Sequence, residues 1–77
     1  MSTAKSVEGE IVKISGPLVL ASGMGGVRLY DVARVGALGI VGEIIKIDGD
    51  VVSIQCYEGT DGIFPGEKVV GTGEPLS

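Results

Sequence analysis

Residues 44–57, Ile-Ile-Lys-Ile-Asp-Gly-Asp-Val-Val-Ser-Ile-Gln-Cys-Tyr, alternate apolar and polar side chains on both sides of an Asp-Gly-Asp step. A period of two marks a half-buried strand, and a central Asp-Gly supplies the positive φ that tight hairpin turns need. The alternation also predicts register. A loop with an even number of residues puts Ile45 and Ile47 on the same face as Val52 and Ile54, whereas an odd loop sets Ile47 opposite Val51 and mixes the faces. An even loop is therefore expected, with Ile45 in the core across from Ile54.

The rest of the chain reads as more short strands. Residues 1–7 form a small, polar, flexible leader. A first strand over 10–15 turns Val12 and Ile14 to one face and Lys13 to the other, and Gly16-Pro17 breaks it before a strand over 18–21. Residues 27–35 are rich in β-formers, but Asp31 and Ala33 share a phase with Leu29 and Val35, so a bulge is expected there. Residues 35–39 lead into the central hairpin and 58–62 leave it as an exposed loop. Phe64-Pro65-Gly66 has the chemistry of a type II turn, and 68–72 is the last strand. Gly73-Glu74-Pro75-Leu76-Ser77 has no capping device, as expected of a piece of a longer chain. No eleven-residue stretch keeps a helical stripe. The expected fold is all-β: one small, closed, six-stranded, Greek-key-like barrel over residues 8–77.

Composition narrows the functions. Seventy-seven residues make one domain, 14 of them glycine, as frequent turns require. Although 44% of residues are hydrophobic, no apolar run approaches the roughly 18 to 20 residues of a membrane span. A water-soluble chain is expected. The net charge is −4 and the six basic residues are scattered. Nucleic-acid binding needs clustered cations or stacking aromatics, and the aromatics number three, Tyr30, Tyr57 and Phe64. The leader has no apolar segment of a secretory signal, so a cytoplasmic location is expected. One cysteine excludes an internal disulfide; Cys56 is in phase with Val52 and Ile54 and reads as core.

Candidate chemistry is sparse. Ser22-Gly23-Met24-Gly25-Gly26 is followed by β-formers, with neither a Walker lysine nor a helix to complete a phosphate cradle, so it reads as a loop. Glu43, in phase with Ile45, could point inward, and Glu58 with Asp61 could hold a divalent ion, but two acids are too few for six to eight oxygen positions. No catalytic, cofactor-binding or metal-binding residue is assigned. Ile11, Ile44, Val51 and Phe64 fall out of phase with the expected inner face. They are the candidate contacts to a neighbouring protein.

Four segments in order carry a resemblance: Ile14-Ser15-Gly16-Pro17-Leu18-Val19; Gly23-Met24 leading to Leu29-Tyr30-Asp31-Val32; Arg34-Val35-Gly36 then Gly42-Glu43-Ile44-Ile45; and Gln55-Cys56-Tyr57-Glu58 through Pro65-Gly66-Glu67 to residues 72–77. Together they resemble the N-terminal domain of the catalytic A subunit of archaeal-type and vacuolar-type rotary ATPases. The resemblance implies a six-stranded barrel at the crown of an alternating hexamer, packed beside the barrels of neighbouring catalytic and non-catalytic subunits. It also implies that ATP and magnesium are bound by a separate domain further along the parent chain, with membrane association only through the complex. Gly59-Thr60-Asp61-Gly62 leans toward the paralogous non-catalytic subunit, the alternative within the family. Outside it, the alternative is a standalone barrel that binds a ligand or nucleic acid.

Overall fold

The hairpin forms with the expected even loop: Asp48 pairs with Val51, leaving Gly49 and Asp50 as a two-residue turn. Gly49 takes φ +65° and Asp50 does not enter the left-handed region, the pattern of a II′ turn, whose twist suits a hairpin. Gly16-Pro17 repeats the device between Ser15 and Leu18, with Gly16 at φ +59°.

The computed structural model describes residues 7–75, with backbone alone at 74 and 75. The strands are β1 (Val7–Ser15), β2 (Leu18–Ser22), β3 (Asp31–Val35), β4 (Ile40–Asp48), β5 (Val51–Cys56) and β6 (Lys68–Pro75). All pairings are antiparallel and they close a barrel in the order β1-β2-β5-β4-β3-β6, which leaves no strand edge open. The connections 23–30 and 57–67 join strands that are not neighbours, which gives the Greek-key character. Because β2 and β5 are antiparallel, those connections leave opposite ends of the barrel. Each sends one fully buried apolar side chain back inside, Met24 at one end and Ile63 at the other, and Val27 packs partly buried beside the core.

Several boundaries move. Val7, assigned to the leader by sequence, pairs with Gly71 as the first residue of β1, and residues 1–6 lie outside the described residues. Residues 27–30 are turn rather than strand, so Asp31, Ala33 and Val35 alternate cleanly inward without a bulge in β3. The register does slip there, but the extra residues are in β6: Asp31 pairs with Pro75 and Ala33 with Gly71. β6 accordingly runs past 72.

The larger correction concerns which residues face in. Ile44 pairs with Ile54 and Lys46 with Ser53, so Ile45 is an extra, bulged residue. In β1, Ile11 pairs with Ala21 and Lys13 with Leu20, so Val12 is bulged in the same way. A bulge reverses the alternation on one side of itself. Ile11 and Ile44 are therefore core, at 2% and 0% exposure, and cannot be contacts to another chain, while Ile45, expected in the core, is 39% exposed. Ile47 keeps its place opposite Val52 but lies at the hairpin tip, where the core ends. Val12 faces out with Lys13.

Candidate intersubunit surface

The outward residues of β1, β2, β5 and β4 form one continuous wall. Lys13, Leu20, Ser53 and Lys46 are successive cross-strand partners, making a row in which a lysine stands at each end and a leucine near the middle. Neighbours of Leu20 and Ser53 along their strands, Val19, Ala21, Val52 and Ile54, are all buried, so Leu20 and Ser53 themselves point outward. Three ladder spacings separate the lysines, about 14 Å. Both bulges flank this row and set Val12 and Ile45 beside the lysines. Leu18 and Gln55 continue the wall in the next row, with Glu43 beyond Gln55.

The Lys13-Leu20-Ser53-Lys46 row of the wall carries charge opposite in sign to that of the whole chain. The chain carries −4 overall, yet among the described residues the ion pair is Lys68 to Glu8, at 3.4 Å, and Lys13 and Lys46 have no carboxylate partner. Two unpaired cations around apolar side chains suit a partner that presents carboxylates, because rim charges of opposite sign steer association and set register.

Val51 and Phe64, named from the sequence, are exposed as expected; Val51 lies at the β4–β5 tip and Phe64, at 61% exposure, opens the turn to Glu67. That turn is type II: the Glu67 N–H donates to the Phe64 carbonyl at 3.2 Å and Gly66 has φ +97°. It is tied to β1 because the Gly66 N–H donates to the Ile11 carbonyl at 2.8 Å, next to the bulged Val12. Val12, Lys13, Ile45 and Lys46 are not among the contacts expected from alternation alone, although the triplet Ile-(Val/Ile)-Lys marks both sites in the sequence.

The remaining polar groups hold loops in place. Asp50 accepts from the Gly23 N–H through its carboxylate at 3.1 Å and from the Met24 N–H through its carbonyl at 3.0 Å, which fastens the glycine-rich loop to the hairpin tip and seats Met24 in the core. Asp31, the buried acid, accepts from the Arg28 N–H at 3.0 Å. Glu43 points outward, not inward, and accepts from the Tyr57 hydroxyl at 2.6 Å. That bond, some desolvation and the glutamate charge all push the Tyr57 pKa above its ordinary value. Burial likewise pushes the Cys56 thiol up, which suits a packed core cysteine and not a nucleophile. Glu58 and Asp61 are exposed, and the described residues contain no group of three or more His, Cys, Asp or Glu placed to hold a metal ion. No helix among them is long and apolar enough to cross a membrane.

Comparison with known proteins gives a consistent answer. Residues 11–73 match the beta-barrel domain of the ATP synthase alpha/beta family. The A subunit of the A-type ATP synthase of Pyrococcus horikoshii is 56% identical over 91% of this chain and 7% of its own length. The V-type ATP synthase alpha chains of Clostridium botulinum and Streptococcus pneumoniae are each 59% identical, over 90% and 91% of this chain and 12% of their own length. The chain thus spans about a tenth of the length of these curated relatives.

Proposed function

The chain belongs to the ATP synthase alpha/beta family as its beta-barrel domain, and on that premise we propose that it is the N-terminal crown barrel of the catalytic A subunit of an A-type or V-type ATP synthase. It is a structural and assembly module. The longer protein couples ATP synthesis or hydrolysis to ion transport, with ATP and magnesium bound outside this barrel, and is held at the cytoplasmic side of a membrane through its complex. The observation that carries the reading is the 59% identity to V-type alpha chains across nearly the whole barrel.

Mechanically, a closed barrel suits this role. Every strand is paired on both sides, so load passed sideways is shared among ladders instead of peeling an edge. A ring of such barrels resists the splaying that moving catalytic domains would otherwise cause. Lateral contact is assigned to the Lys13–Lys46 wall with its bulged Val12 and Ile45, and to Val51 and Phe64. A ring alternating two kinds of subunit makes heterologous contacts, so one kind of barrel alone has half of each pair.

Sedimentation equilibrium tests this. The chain is expected to be monomeric alone and to form a one-to-one complex with the corresponding barrel of the companion subunit, weakened by Phe64→Ser. A tight homodimer in the absence of the companion would contradict the assembly role.

A further inference from the structure

Four aspartates occur in the chain, and glycine follows two of them, at Asp48-Gly49 and Asp61-Gly62. An aspartyl side chain before glycine is open to attack by its own backbone, because glycine has no Cβ to shield its nitrogen and moves freely in φ. The reaction needs only water. The glycine N–H gives its proton to solvent, the nitrogen bonds to the aspartyl Cγ, and a carboxyl oxygen leaves as water, closing a five-membered succinimide. Water then adds to one of the two ring carbonyls and opens the ring. One opening restores aspartate; the other leaves isoaspartate, whose backbone runs through the former side chain and is one methylene longer.

Both pairs are exposed, so solvent access does not separate them. Backbone restraint does. Ring closure requires rotation about the aspartyl Cα–C bond to carry the glycine nitrogen to Cγ. Asp48 ends β4 paired with Val51, and Gly49 opens the two-residue turn at φ +65°. Asp50, next in that turn, holds the Gly23 and Met24 N–H groups at 3.1 and 3.0 Å. Rotation at Asp48 therefore breaks the hairpin tip, frees the glycine-rich loop and unseats the buried Met24.

Asp61 and Gly62 are the central residues of the turn from Thr60 to Ile63, which is closed by one backbone bond of 3.3 Å, just beyond the usual N–H···O range. Neither makes a hydrogen bond to another described residue. The Thr60 hydroxyl donates to the Gly16 carbonyl at 2.8 Å and Ile63 is buried, so the turn is anchored at both ends while its middle is free. Opening an exposed turn costs far less than opening a paired hairpin.

We propose that Asp61-Gly62 is a modification site at which the barrel isomerises to isoaspartate, and that the hairpin protects the same dipeptide at Asp48-Gly49. The extra methylene falls between Thr60 and Ile63. It removes the turn bond and loosens Ile63 from its seat against Gly36, so the barrel ages from the end opposite the hairpin tip. The product suits an isoaspartyl carboxyl methyltransferase, which moves a methyl group from S-adenosylmethionine to the new carboxylate.

Incubating the full chain in warm, neutral oxygen-18 water tests the assignment. Ring opening leaves one heavy oxygen in the product, and enzymatic methylation followed by peptide mapping locates isoaspartate. Expected are about tenfold or more of both labels at Asp61 relative to Asp48 in the folded chain, and labelling of the same order at the two in urea, where restraint is gone. Gly62→Ala and Asp61→Glu should each remove most of the label at 61. The alanine shields the nitrogen and displaces only the flexible end of Leu38, which its Cβ would meet at 2.7 Å; the glutamate would have to close a six-membered ring. A smaller ratio in the folded chain, a ratio as large in urea, or label that persists in both variants overturns the proposal.

Discussion

Tyr30 has φ +72°, the one non-glycine residue with positive φ among those described. It occupies the third position of the turn from Arg28 to Asp31, where type II geometry favours glycine, and its counterpart in the turn from Phe64 to Glu67 is Gly66. The left-handed region costs an ordinary residue about 1–2 kcal/mol. Tyr30→Gly is therefore expected to raise the thermal midpoint, by the equivalent of about 0.5–1 kcal/mol once the looser unfolded chain is counted. Gly66→Ala should lower stability by about 1–2 kcal/mol. Loss of stability in Tyr30→Gly would show that the tyrosine ring outweighs the backbone. Tyr57 offers a second reading at this scale. Its folded-state pKa lies above the ordinary 10.0, so the stabilising bond to Glu43 is fully present below about pH 10 and is lost as pH rises through the folded-state value. Glu43→Ala should lower the Tyr57 midpoint in an NMR titration, and an unchanged midpoint would deny the bond. The turn at Phe64 was legible because proline and glycine announce it; Tyr30 carries no such mark, and its conformation comes from the bond to Ile44.

At the scale of elements, hairpin and bulge part company. The two-residue loop was legible because Asp-Gly and two-fold alternation agree on it. The bulges were not, since an inserted residue leaves alternation intact on each side and changes only the phase between them. One slip in each of β1 and β4 moved Ile11 and Ile44 from presumed surface to core. Ile44→Ala should thus cost about 2–5 kcal/mol, whereas Ile45→Ala, on an exposed bulge, should cost under about 1 kcal/mol. Chemical denaturation distinguishes them, and a larger loss at Ile45 would restore the unbulged register.

For the whole molecule, turn signals spaced through the chain were enough to indicate a small closed barrel. The contact wall was less legible, because it depends on which strands become neighbours: Lys13 and Lys46 meet in one row only after β2 and β5 pair. The glycine-rich loop is fastened by Asp50 and closed over Met24, so titration with Mg-ATP is expected to give no saturable amide shifts at residues 23–26. Saturation there would give the barrel a nucleotide site. The most direct test of the assembly account is an NMR titration of the labelled chain with the unlabelled companion barrel. Saturable shifts are expected at Val12, Lys13, Ile45, Lys46, Val51 and Phe64, reduced by Lys13→Glu with Lys46→Glu, while the methyl groups of Ile11 and Ile44 hold still; no binding, or shifts that avoid both the wall and Phe64, would overturn the assembly role.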